Sequence, residues 1–210
     1  MKRALAAEAI GTALLVATVI GSGIMAERLS GGNDAVALLG NTAATAAMLY
    51  VLISVLGPLS GAHFNPIVSV LLGKRKAALP YAAVQIGAGL VGMMVAHLMF
   101  RLDPLQWGIK SRTGAGQWLG EFVATFGLLL TIIVGSKHRP DAVPVLVAAW
   151  ITAGYWFTSS TSFANPAVTI ARAFTDSFAG IAPIDVPGFI AAQSIGGWAG
   201  YKVGRWLVRE

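Results

Sequence analysis

Six continuous apolar runs, at roughly 4–26, 35–57, 79–100, 117–136, 142–160 and 186–208, occupy most of this 210-residue chain. A bilayer core needs about 20 apolar helical residues per crossing, and most of these runs approach or exceed that length. In lipid every backbone N–H and C=O must find a partner within the protein, so only helices and closed barrels cross. A barrel would show alternating strands of about 10 residues, not continuous runs. The expected fold class is an all-α membrane protein with six transmembrane helices. Charged residues make up only 11% of the chain, far too few to clothe a soluble surface of this size. The first run follows Met1-Lys2-Arg3 and is long for a secretory signal, so it reads as a retained span.

The basic residues orient the chain. Lys2, Arg3, Lys74, Arg75, Lys76, Lys137, Arg139, Lys202, Arg205 and Arg209 fall on one side of the six spans. Only Arg28, Arg101, Lys110, Arg112 and Arg172 fall on the other. The positive-inside rule then places both termini in the cytoplasm and the chain, multi-pass, in the plasma (inner) membrane. The net charge of +6 is a topology signal on this reading, and no nucleic-acid partner is expected. The cluster Lys74, Arg75 and Lys76 is read the same way, ahead of an anionic-lipid site. Trp107, Trp118, Trp198 and Trp206 sit near span ends, where aromatic residues anchor at the interface.

Catalysis finds little to work with. The chain has no cysteine, its three histidines (His63, His97 and His138) lack metal-ligand spacing, and no span holds a carboxylate pair. No enzyme activity, metal or cofactor is expected.

Two segments do not fit six simple spans. Residues 58–74 and 159–174 each begin as a loop and finish as an apolar helix too short to cross. A short Gly/Pro-interrupted segment in each half of a membrane protein points to its binding or conduction site. The halves, 1–102 and 114–210, also match each other. Glu8-Ala-Ile-Gly-Thr12 parallels Glu121-Phe-Val-Ala-Thr125, Asn65-Pro66 parallels Asn165-Pro166, and Gln85 with Gly89 and Gly92 parallels Gln193 with Gly197 and Gly200. Each half holds three spans, so the second enters the bilayer inverted. Asparagine is a strong N-cap and proline is favoured at the first helical position, so each Asn-Pro pair starts a short helix. The two short helices enter from opposite faces and their N-termini meet near the midplane. Each asparagine amide keeps donors for the pore while its oxygen caps its own helix. The glycine-rich faces (Gly87, Gly89, Gly92; Gly196, Gly197, Gly200) read as close-packing surfaces.

On these residues the chain resembles the aquaporin and glycerol-facilitator, or major intrinsic protein, family. The resemblance rests on Ser60-Gly61-Ala62-His63-Phe64-Asn65-Pro66-Ile67, on Ser162-Phe163-Ala164-Asn165-Pro166-Ala167, and on Glu8, Glu121, Gln85 and Gln193. It implies six spans plus two re-entrant half-helices in an inverted repeat, a pore in each protomer, and a homotetramer in the lipid bilayer. It also implies roles. Asn65 and Asn165 donate to the permeating molecule at the midplane. Carbonyls of Gly61, Ala62 and His63, and of Thr161, Ser162 and Phe163, form an acceptor rail, with the His63 imidazole beside it. Glu8 and Glu121, the acidic residues within the apolar spans, hold the re-entrant loops by hydrogen bonds. Ile67 replaces the usual Ala and is expected to pack on the opposing half-helix.

The second motif departs from the family where selectivity is set. The family's constriction carries an Arg three residues after the second motif Asn; here that residue is Val168, and Arg172 follows four residues later. By ungapped offset the remaining constriction positions are Thr45, Ala153 and Ser162. None of Thr45, Ala153, Ser162 and Val168 is charged or aromatic, which predicts a wider and less cationic constriction. Bacterial aquaglyceroporins linked to arsenic detoxification are similar in lacking that Arg. The resemblance thus implies a passive channel for water and small neutral solutes: glycerol, urea, arsenous acid or other metalloid hydroxides, and methylated arsenicals. The alternatives are a water-selective aquaporin and, from another class, an ion-coupled secondary transporter using Glu8 or Glu121.

Overall fold

The computed structural model describes residues 1–73 and 75–209. Lys74 lies outside them. Among the described residues the chain is helical, without a strand. The elements are α1 (Lys2–Leu29), α2 (Asp34–Ser60), α3 (Pro66–Leu72), α4 (Arg75–Met99), α5 (Ala115–His138), α6 (Val143–Phe157), α7 (Pro166–Arg172) and α8 (Val186–Leu207). The six long helices follow the six apolar runs. Helices α1, α2 and α5, and α4 from Lys76, are long and apolar enough to cross a membrane. Helix α6 has 15 residues and is preceded by a 3-10 turn at Pro140–Ala142. Large apolar side chains such as Leu39, Val55, Leu119 and Ile195 are exposed on the outer faces, as an integral membrane protein requires.

Local chemistry sets the helix ends. Asn33 caps α2 by accepting from the N–H groups of Ala35 and Val36 at 3.0 and 3.2 Å. Pro58 stays inside α2, so that helix runs further into the first interrupted segment than the loop expected there. Gly61 then ends it at φ 90°, a left-handed conformation that favours glycine. The seven-residue α3 and α7 start at the two Asn-Pro pairs, each with an extended asparagine and a proline at the first turn.

Helix α1 packs on α4, α5 on α8, and α2 bridges α1 and α6. The two main crossings use the same device. A Cβ at Gly92 would overlap the carbonyl of Ala13, and one at Gly196 the carbonyl of Phe122. Only glycine lets backbone meet backbone this closely. Gly87, by contrast, faces open space on the same helix as Gly92. Gly92→Ala is therefore expected to destabilise the fold by about 1–3 kcal/mol through overpacking. Gly87→Ala is expected to stay within ~0.5 kcal/mol of wild type. Thermal unfolding in detergent compares the two; equal midpoints would mean that α1 and α4 separate without cost. Ile67 lies against Gly197 of α8, whose missing side chain makes the room, so its observed neighbour is α8.

Candidate functional site

The site is built on two irregular loops that precede α3 and α7. Six residues there adopt left-handed φ: Gly61 (90°), Ala62 (48°), Phe64 (48°), Thr161 (61°), Ser162 (52°) and Ala164 (49°). Left-handed backbone is strained for a residue with a Cβ and persists only where neighbours hold it. Two buried carboxylates do so. Glu8 accepts from the N–H of His63 at 2.9 Å and of Phe64 at 2.7 Å. Glu121 accepts from the N–H of Phe163 at 2.8 Å and of Ala164 at 2.9 Å. Each takes a further bond from a buried amide, Gln85 at 2.7 Å and Gln193 at 2.6 Å. The same amides reach Ser69 and Thr169 on the short helices, at 2.9 and 2.8 Å. A carboxylate with no exposed surface is costly unless saturated in this way.

The two loops are strapped to each other. The Asn65 amide donates to the Ala164 carbonyl, and the Asn165 amide to the Phe64 carbonyl, both at 2.7 Å. The oxygen of Asn65 accepts from Ile67 N–H at 3.0 Å, and that of Asn165 from Ala167 N–H at 3.0 Å. One N–H of each amide thus remains for a third partner. Both asparagines line a cavity of about 300 Å³.

Most residues singled out by sequence lie on this cavity. Gly61, Ala62, His63, Ser162, Phe163, Thr45 and Val168 line it. The His63 ring stands 3.1 Å from Ser69 Oγ and edge-on to Tyr81. Thr161 is not on the wall; its hydroxyl takes a 3.5 Å bond from Arg112. Ala153 is a correction. It lies on the exposed face of α6, and the wall is formed instead by Ile151 and Tyr155. The Tyr155 hydroxyl donates to Thr45 Oγ1 at 3.4 Å across the lumen side of α2 and α6. An ungapped count misses this because helix rotation, about 100° per residue, decides which α6 residues face inward.

The four constriction positions read from sequence hold no aromatic residue, and Tyr155 in place of Ala153 adds one. Phe163 and Arg172 line the cavity together with Tyr155. The Arg172 guanidinium stacks 3.3 Å from the centroid of Phe163 and donates from Nε to the Ala179 carbonyl. Arg112, absent from the sequence-based set, sits 5.0 Å from the same ring. It donates to the carbonyls of Gly180 at 2.8 Å, Ser160 at 3.3 Å and Phe178 at 3.4 Å, joining the segment after α7 to the loop before it. Burial pushes the Arg112 guanidinium down to about 10, which leaves it charged at neutral pH. Lys110 is lowered as well, by burial first and then by the fields of Arg112 and Arg172. Of these cations, Arg172 lines the cavity, and Arg112 shares its contact with the Phe163 ring. The only sequence signal for Arg112 was an arginine in a short interhelical segment, which topology already explained.

Comparison with known proteins agrees with this geometry. The chain matches the Major intrinsic protein family over residues 1–153. It is 51% identical to Aquaglyceroporin AqpS of Rhizobium meliloti (strain 1021), covering 100% of this chain and 91% of that protein. It is 32% identical to a probable TIP-type aquaporin of Medicago truncatula, covering 80% of this chain and 73% of the relative. With Probable aquaporin TIP1-2 of Oryza sativa subsp. japonica the identity is 30%, over 81% and 74% of the two chains. With apolar helices around two paired Asn-Pro loops and relatives matched along its length, the chain belongs to the major intrinsic protein family: a membrane channel, not an enzyme.

Proposed function

We propose that this protein is a passive channel for water and small uncharged polar solutes, with glycerol, urea and metalloid hydroxides such as arsenous acid as its candidate cargo. The observation that carries the proposal is the single cavity on which both asparagine amides, both loops and the walls of α2 and α6 converge. Each amide offers one uncommitted N–H, and apolar walls such as Leu49, Val147 and Ile151 offer no competing bonds. A solute with several hydroxyls exchanges water for these few polar groups while its carbons pass along the walls. The similarity to a protein named as an aquaglyceroporin supports a cargo larger than water.

The layout that serves this function is six spans and two re-entrant half-helices, with halves 1–102 and 114–210 related by an inverted repeat. Both termini face the cytoplasm of the inner membrane, α7 runs toward the outside, and protomers assemble as homotetramers. Glu8 and Glu121 are loop scaffolds in this reading. Their oxygens are occupied by backbone and glutamine donors, which disfavours the ion-coupled alternative. Methylated arsenicals are bulkier than glycerol, and Tyr155 and Arg172 on the wall make them the hardest cargo to pass.

Stopped-flow light scattering on proteoliposomes tests the proposal, with water, glycerol, urea and arsenous acid measured in one preparation. Glycerol flux at least about tenfold above empty liposomes, linear in concentration, is expected; tenfold corresponds to ~1.4 kcal/mol of barrier. Water flux without glycerol flux would establish the water-selective alternative. Saturable flux that needs an ion gradient would establish the transporter.

A further inference from the structure

The constriction arginine is missing from the Val168 position, yet a guanidinium stands on the cavity wall. Arg172 follows Val168 by four residues on α7, so the two share one helical face, and Arg172 lies about 6 Å further along the axis. Both line the cavity. Arg172 is only 2% exposed. It has no carboxylate within ion-pair distance among the described residues. The nearby carboxylates are committed elsewhere: Asp185 accepts from the Arg112 backbone at 2.7 Å, and Glu121 holds Phe163, Ala164 and Gln193. What fixes the side chain is the Ala179 carbonyl at Nε and the ring of Phe163 beneath the guanidinium.

Its remaining donors are the telling part. Several buried side-chain atoms find no partner among the described residues; of these, Arg172 Nη1 and Ser162 Oγ are the pair on residues that line the cavity. A buried donor left unmatched is costly, and a native structure keeps one where a ligand or water completes it. Ser162 and Arg172 flank Asn165 on the loop and helix of one half. Ser162 Oγ packs against Gly154 of α6, so the unmatched charged donor on the wall is that of Arg172.

We propose that Arg172 is the specificity-determining cation of this channel, displaced one helical turn outward from the constriction. Its Nη1 donates to an oxygen of the permeating solute, and its uncompensated charge repels protons and small cations. The displacement separates two jobs that an arginine at position 168 would combine. The charge still bars cations from the lumen, while the ring at Val168 is relieved of a large side chain. The inference rests on the channel reading given above.

The test uses full-length protein in liposomes and reads two ratios, proton conductance to water flux and glycerol flux to water flux. Arg172→Gln removes the charge and is expected to raise the first ratio about tenfold or more. Arg172→Lys keeps the charge in the same slot but loses the planar fork. It is expected to keep the first ratio near wild type and to shift the second by about threefold or more. Unchanged ratios in folded Arg172→Gln would overturn the proposal. If Arg172→Gln does not reconstitute, Arg172→Lys decides through the glycerol-to-water ratio, and no shift there overturns the proposal. A merely structural arginine would change the yield of folded protein and leave both ratios alone. Failure of the wild type to pass glycerol would count against the proposed cargo, whereas the proton-to-water ratio would still test Arg172.

Discussion

Glu121→Leu is expected to lower the unfolding midpoint by about 10 °C and to reduce recovery of folded protein severalfold, although position 121 is a buried, apolar setting that would normally welcome leucine. The reason lies in the groups left behind. Phe163 N–H, Ala164 N–H and the Gln193 amide all donate to Glu121, and only the Gln193 amide has a second acceptor, the Thr169 hydroxyl. Each abandoned buried donor costs about 1–3 kcal/mol. The loop they belong to holds Thr161, Ser162 and Ala164 at left-handed φ, which each side chain would otherwise relax. Glu8→Leu should behave alike, because His63 N–H, Phe64 N–H and Gln85 repeat the arrangement. Differential scanning fluorimetry with size-exclusion chromatography in detergent measures both. A drop below ~3 °C would show that chain connectivity and the Asn65 and Asn165 straps hold the loops without the carboxylates.

That pair of carboxylates also explains what could be read from sequence. A charged or amide side chain inside an apolar span is costly, so it is retained only where it has partners. Glu8, Glu121, Gln85 and Gln193 therefore stand out against their surroundings, and they recur in the same order along the chain. Asn65 and Asn165 stand out because an N-cap followed by proline has one conformational meaning. The constriction is different in kind. Which α6 residue faces the lumen depends on helix rotation, and a shift of two residues turns an α-helix by about 200°. That is why Ala153 points away and Tyr155 points in, with nothing in local composition to tell them apart. Arg112 was hidden for a related reason. Its partners are the carbonyls of Ser160, Phe178 and Gly180, dozens of residues away, and backbone carbonyls leave no side-chain signature.

Val168→Arg is expected to cut glycerol flux by at least about tenfold while lowering water flux less, a barrier increase of ~1.4 kcal/mol or more on the larger solute. Val168 lines the cavity near the N-terminal end of α7, one turn before Arg172 on the same face. An arginine there adds a long side chain to a cavity whose wall already carries Tyr155 and Phe163. It also places a second guanidinium one turn from the first. Size and charge must be separated, and Val168→Met does so: it adds length without charge. If the lumen is set by diameter at this level, methionine reproduces part of the loss for glycerol and little for water. If charge dominates, methionine stays close to wild type while arginine does not. Stopped-flow measurement of both variants, with glycerol and water in one vesicle preparation, distinguishes these outcomes. A glycerol-to-water ratio unchanged in both would move the narrowest point away from Val168. The Tyr155–Thr45 hydrogen bond, which closes α6 onto α2 at 3.4 Å, would then be the place where solutes are sorted.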